Sequence, residues 1–327
     1  MRKNDYRLAK KEITNILKNQ KIVSAYEYGS YNNPGLSDID LFIVLNKKNT
    51  ELKKILNKLK NSESLKFFFE YSTIMITNEN LIKNILLFDD LRLNKLFGKK
   101  IRIVKYKKLK KILKILSILE WLPERILKLK KNIIQFKAVN LRQHLGLLNS
   151  LKYTLIKTQD FIKLDDIKKY CMKIDSLRKD KNILVKKKFI FNFSKKIFND
   201  SKRLLNILAK NKVINDLKVN IDGELLMKFP KGFKILFTNK KKKTDRKSIN
   251  VPLIYSLPFS FHEDKKNELS KIVKKNIKKN KKFKYKINNN IIHSILKKRN
   301  ELINENIKLL VKNNIDSGLY KFGWYYK

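Results

Sequence analysis

Residues 26–45, YEYGSYNNPGLSDIDLFIVL, constrain the fold of this chain more tightly than any other stretch. Two runs with strand character flank a short turn built on Asn33, Pro34 and Gly35. Proline presets φ and glycine accepts the left-handed region, so the chain is expected to double back here and lay the second run beside the first. On a strand, residues two apart share a face, so Asp38 and Asp40 project together while Ile39 and Leu41 point into a core. Two carboxylates held side by side repel one another unless a cation lies between them. Gly29 closes the first run with no side chain in the way, and Ser30 adds a hydroxyl and an N–H suited to phosphate oxygens.

Around this stretch the chain supports a multi-domain reading. Its 327 residues exceed what one core usually serves, and 43% of them are hydrophobic, enough to build cores. Lys, Glu or Asn interrupts every apolar run short of membrane-spanning length, so no membrane span is expected. The charged N-terminus lacks the apolar centre of a signal peptide. Cys171 is the single cysteine, which excludes an internal disulfide and makes a reducing cytoplasm the expected location.

The formal charge of +49 points toward a polyanionic partner. Only ten of the 78 basic residues are Arg, and Asn and Ile are also abundant, as AT-rich coding would produce. Such coding does not account for 78 basic against 29 acidic residues, so RNA, a nucleotide or an anionic surface stays open as partner.

The expected fold class is α+β, in three segments. Residues 1–105 read as a mixed sheet with flanking helices. An amphipathic helix over 5–19, carrying Leu8, Ile13, Ile16 and Leu17, precedes the two strands. A helix capped by Asn49 or Thr50, a third strand through LKFFFEYSTIMIT, a helix ended by Gly98 and a fourth strand KKIRIV complete the segment. Residues 106–215 read as a helical domain with a break at Pro123. Residues 216–327 read as a small antiparallel β-meander, with a hairpin at Asp222-Gly223, a second turn at 230–232 and VPLIYSLPF joining it, followed by a Lys-rich helical region with an aromatic tail.

Gly29-Ser30, a short gap and Ser37-Asp38-Ile39-Asp40-Leu41 at the head of an apolar strand resemble the nucleotidyltransferase superfamily related to DNA polymerase β. The short Pro-Gly-containing gap is similar to an uncharacterised branch of that superfamily, and the resemblance covers residues 5–105 at most. It implies a Mg²⁺-dependent enzyme with two ions, or Mn²⁺ in their place, that moves a nucleoside monophosphate from an NTP such as ATP to an acceptor hydroxyl and releases pyrophosphate. The acceptor, whether RNA, a sugar or other small molecule, or a protein, is left open.

Asp38 and Asp40 would be catalytic metal ligands, and Gly29, Ser30 and Ser37 would bind the nucleotide. The resemblance also implies a third carboxylate. Glu70, on the expected third strand, is favoured as catalytic residue and metal ligand; the competing alignment puts Arg102 in its place. In that event the chain is a catalytically degenerate relative that binds nucleotide or RNA without transfer. Arg142, His144, Lys152 and Tyr153 share one helical stretch and are read as helix surface and core. Lys runs at 240–243 and 279–282 are read as solvated loops, or as phosphate contacts if RNA is bound.

Overall fold

The computed structural model describes residues 3–18, 20–29, 36–70, 74–135, 138–162, 165–180, 186–209 and 290–314, and five strand backbones between 219 and 287. Ser30, the Asn-Pro-Gly turn, both Lys runs and the aromatic tail lie outside the described residues. The architecture is mixed α+β, and the chain separates into two compact units. One joins Met1–Lys110 to Lys298–Gly323; the other holds Lys111–Lys297 and Trp324–Lys327.

The first unit is built on a four-stranded mixed sheet, β1 (Ser24–Tyr28), β2 (Asp40–Val44), β3 (Ile74–Thr77) and β4 (Leu93–Gly98), in the order β3-β2-β1-β4. β1 runs antiparallel to β2, with Tyr28 opposite Asp40, and antiparallel to β4, with Tyr28 opposite Leu93. β3 lies parallel to β2, and the crossover between them carries α2 (Leu52–Asn61) and the turn α3 (Lys66–Phe69). One face of the sheet is covered by α1 (Lys3–Lys18), whose Tyr6, Ala9, Ile13 and Leu17 recur at helical spacing and are buried against Ala25, Leu41, Ile43 and Ile76. Leu8, expected in that stripe, is instead 54% exposed; the buried face is centred one position to its side.

Three expectations fail here for physical reasons. The run LKFFFEYSTIMIT is not one strand. Leu65 and Phe68 bury at i and i+3, which selects the helical turn α3, and strand geometry begins only at Ile74. The helix expected up to Gly98 is the short α4 (Glu79–Lys83), started by Asn78, whose side chain accepts from the Leu81 N–H. Its continuation becomes β4, which pairs with the second edge of β1. Gly98 therefore ends a strand, at φ +79°, where a Cβ would stand 2.2 Å from the Val23 carbonyl oxygen. Residues 99–106, with Arg102 exposed among them, form no strand.

The last described helix, α9 (Asn290–Lys312), crosses the boundary between the units; its part from Lys298 onward completes the first. Leu309 and Leu310 enter the core. Asn306 donates from Nδ2 to the Ile76 carbonyl at 3.1 Å and accepts from the Asn78 N–H at 2.9 Å, so its carboxamide stands in for a neighbouring strand at the β3 edge. Asn313 accepts from the Asn49 N–H at 2.7 Å, and Asn49 accepts in turn from the Glu51 N–H at the head of α2. Arg299 is fully buried, with Nε donating to the Leu87 carbonyl at 2.6 Å.

In the second unit, α5 (Lys110–Ile134), α6 (Leu141–Thr158), α7 (Asp165–Lys179) and α8 (Lys187–Ala209) form the expected helical segment. Pro123 lies within α5 and does not end it. Beyond them, β5 (Val219–Asp222) pairs antiparallel with β9 (Lys284–Ile287), so Asp222-Gly223 does not join hairpin partners. β6 (Leu225–Lys228) and β7 (Lys234–Phe237) are antiparallel, the second turn expected at 230–232 lying outside the described residues, whereas β8 (Ser248–Val251) pairs parallel to β7 and departs from a meander. Among the described residues no helix is long and apolar enough to cross a membrane.

Candidate functional site

At the end of the sheet where β1 finishes and β2 begins, burial changes within a few residues. Phe42, Ile43 and Val44 are fully buried, while Asp38 and Asp40 are half-buried and alternate with buried Ile39. The pleat therefore does what the sequence pattern implied, sending Ile39 and Leu41 into the core and the two acids the other way. Tyr28, opposite Asp40 in the ladder, packs its ring on Phe42 at 4.7 Å and walls the same face.

Gly29 follows directly at φ +89°, a conformation L side chains seldom adopt. A Cβ at this position would sit 3.9 Å from Asp40 Oδ2. Glycine thus sets no side chain against the carboxylate and adopts this φ without strain. Gly29, Asp38 and Asp40, far enough apart in sequence to be separated by the turn, are gathered at one end of the hairpin. Ser30 lies outside the described residues. Ser37 is buried at 6% exposure; its carbonyl faces inward and accepts from the Tyr6 hydroxyl at 2.6 Å.

That hydrogen bond belongs to a positioning device that sequence reasoning missed. Tyr6, from α1, holds the Ser37 carbonyl. Phe68, from α3, accepts at its carbonyl from the Ile39 N–H at 3.1 Å. The two rings meet edge to face at 4.9 Å. Asp38 is therefore bracketed by backbone anchors on both sides before β2 begins, which fixes the direction in which it leaves the chain. The only sequence signal was the apolar periodicity of α1, where a tyrosine among aliphatic residues announces a hydroxyl that needs a buried partner.

Glu70 does not occupy a strand. It is exposed at the C-terminal end of α3, two residues past the Phe68 carbonyl that anchors Ile39. β3 and β4 carry no acid, and Glu27 of β1 lies on the opposite face, buried in an ion pair with Lys10 at 2.6 Å. Among the described residues no three His, Cys, Asp or Glu side chains form a metal-binding group. Asp38 and Asp40 are suited by their chemistry to a hard divalent cation, as paired oxygen donors beside a glycine that leaves room for a further ligand.

In the second unit, His144 is fully buried with both ring nitrogens engaged. Nε2 donates to Ser194 Oγ at 2.8 Å, the Ser194 hydroxyl donates in turn to the Ile190 carbonyl, and Nδ1 accepts from Asn132 Nδ2 at 3.1 Å. The ring stacks on Phe191 at 4.5 Å, and burial holds its pKa down to about 4. Lys152 is buried in an ion pair with Asp175 at 2.5 Å. These residues hold helices together, as their sequence setting indicated.

Comparison of the chain with family models, with curated proteins and with solved structures finds no match.

Proposed function

We propose that the first unit is a metal-dependent nucleotidyltransferase that moves a nucleoside monophosphate from an NTP to an acceptor hydroxyl. The observation that carries this reading is the juxtaposition of Gly29 with Asp40, which opens the second strand of the hairpin two residues after the half-buried Asp38. Two half-buried acids close in sequence beside a positive-φ glycine are a donor set suited to a hard cation and to phosphate. A nucleotide site needs that arrangement.

In this reading Asp38 and Asp40 hold Mg²⁺, or Mn²⁺ in its place, which when bound neutralises phosphate charge. The backbone after β1, at Gly29 and Ser30, receives the phosphates of the NTP. Tyr6 and Phe68 keep the Ser37–Ile39 segment rigid, so that both carboxylates are oriented before substrate arrives. Glu70, carried by the turn that anchors Ile39, is the acid nearest in sequence to that anchor and is assigned to orient or deprotonate the acceptor hydroxyl. The excess of Lys favours RNA as acceptor.

One observation favours a second reading. Because no third acid joins the pair among the described residues, the unit would bind a metal–nucleotide complex and not transfer it. Incubation of the full chain with each labelled NTP, Mg²⁺ and pooled cellular RNA or metabolites separates the two. Transfer predicts a labelled product that falls at least ~100-fold in Asp40→Ala and in Glu70→Gln. Nucleotide binding that is lost in Asp40→Ala, with no labelled product from the wild type, establishes the second reading. Labelling that survives Asp40→Ala would falsify the assigned site.

A further inference from the structure

The seam between α7 and α8, within the second unit, sets cations and rings alternately along one line. On α8, Phe189, Phe193 and Lys196 recur at i, i+4 and i+7 and so share one side of the helix. On α7, Tyr170 and Lys173 are three residues apart and face them. The Lys173 ammonium stands 5.1 Å from the Phe189 ring, the Tyr170 and Phe193 rings meet at 6.1 Å, and the Lys196 ammonium stands 5.9 Å from the Tyr170 ring. Phe189 is 48% exposed, which forgoes part of the burial an aromatic side chain contributes to folding. Lys169, Lys173 and Lys196 are exposed as well. The acids along this seam are engaged: Asp200 accepts from the Tyr170 hydroxyl, Asp166 pairs with Lys169 at 4.0 Å, and Asp180 pairs with Lys186 at 2.6 Å. Neither Lys173 nor Lys196 takes part in an ion pair among the described residues.

We propose that the α7–α8 seam is a docking surface for single-stranded RNA, with Phe189 as stacking platform and Lys173 and Lys196 as phosphate contacts. It gives the RNA acceptor of the reading above a place to bind, and rests on that reading only for the choice of RNA. Sequence-tolerant single-strand binding has this chemistry: bases stack on rings while cations follow the backbone. At 1.5 Å per residue, Lys196 lies about 10 Å along α8 from Phe189, so positive charge continues past the platform as a backbone does past a stacked base. Lys173, held beside the ring, supplies the charge at the platform itself. A duplex keeps its base faces stacked within itself and leaves Phe189 unused. An acidic protein segment would answer the lysines by charge alone.

The test is equilibrium binding of a labelled, unstructured RNA oligonucleotide to the full chain across a salt series, with duplex RNA and poly-glutamate as competitors. Phe189→Ala is expected to weaken single-stranded RNA ~10-fold and duplex RNA less than ~2-fold, with Phe189→Trp keeping the wild-type affinity. Lys173→Gln and Lys196→Gln are each expected to weaken it ~3-fold and to flatten the log–log salt slope by about 0.7. Lys195→Gln removes an exposed cation about 100° round α8 from Lys196 and is expected to change neither quantity. All four positions are exposed, and unchanged helical circular dichroism checks that each variant is folded. Equal losses in Lys195→Gln and Lys196→Gln reduce the effect to general charge and overturn the seam. Poly-glutamate that competes as well as single-stranded RNA overturns it in favour of an acidic protein. RNA affinity unchanged in Phe189→Ala and Lys173→Gln, with labelling still lost in Asp40→Ala, overturns the seam and leaves the transfer reading standing. RNA affinity lost in those two variants of a chain that labels no acceptor upholds the seam and removes the transfer.

Discussion

The Asp38–Asp40 end of the sheet and the His144 cluster of the helical unit treat polar side chains in opposite ways. His144 is sealed in, each ring nitrogen has one partner, and the chain of donors ends on the Ile190 carbonyl. Every proton in that cluster is accounted for by packing helices. Asp38 and Asp40 are two acids close in sequence, half-open to solvent, on a segment whose backbone is anchored by the Tyr6 hydroxyl and the Phe68 carbonyl. The first arrangement is closed to solvent; the second is open to it. Polar groups of the first kind are read as architecture and those of the second as chemistry.

The sharpest way to break that contrast is to measure both on the same scale. His144→Ala opens a cavity against Phe191 and removes a partner from both Ser194 and Asn132, so a loss of about 3 kcal/mol is expected in chemical denaturation. Asp40→Asn keeps the shape of a half-buried side chain at the end of the sheet and is expected to change stability by less than about 1 kcal/mol. If Asp40→Asn destabilises as much as His144→Ala, the carboxylate pair is structural and the distinction falls.

The next effect is on pH. An unfolded imidazole takes up a proton near its ordinary pKa of 6.5, whereas burial holds folded His144 down to about 4. Between those values the unfolded state binds more protons. The contribution of neutral His144 is therefore fully present above about pH 6.5 and is lost as the pH falls toward 4, by up to about 3 kcal/mol. Denaturation midpoints across that window, compared with those of His144→Gln, isolate it. A wild-type curve that parallels the variant through the window sinks the assignment of a buried neutral imidazole.

What was legible in the sequence follows the range of the interactions involved. The placement of Gly29 near Asp40 depends on strand period and on the antiparallel pairing of two strands close in sequence, both of them local. The strand expected through Glu70 failed because aromatic content does not separate strand from helical turn. Burial of Leu65 and Phe68 in a core shared with α1 decided it. Gly98 was misassigned because its apolar neighbours fit a helix, and only the free edge of β1 converts them to strand. The contribution of α9 is more than 200 residues distant from the elements it completes, and an Asn at the middle of a helix carries no local sign that it will cap a sheet edge. Asp222-Gly223 is a strong turn signal, yet β5 finds its partner in β9.

The smallest expected effect bears on whether the anchors around Asp38 serve folding or the site. Tyr6→Phe keeps the ring contact with Phe68 and removes only the hydroxyl that holds the Ser37 carbonyl. As a purely structural bond it is worth about 1 kcal/mol, with the Ser37 carbonyl left in need of another donor. If it also orients the carboxylates, nucleotide affinity in the presence of Mg²⁺ falls several-fold under conditions where the variant is fully folded. Loosening the segment by one anchor broadens the directions in which Asp38 leaves the chain, and a site preorganised for a cation loses affinity with each added conformer. A stability loss with unchanged affinity returns Tyr6 to the company of His144. An affinity loss larger than the stability change explains places it with the site, as a residue that acts through Ser37 and never touches the ligand.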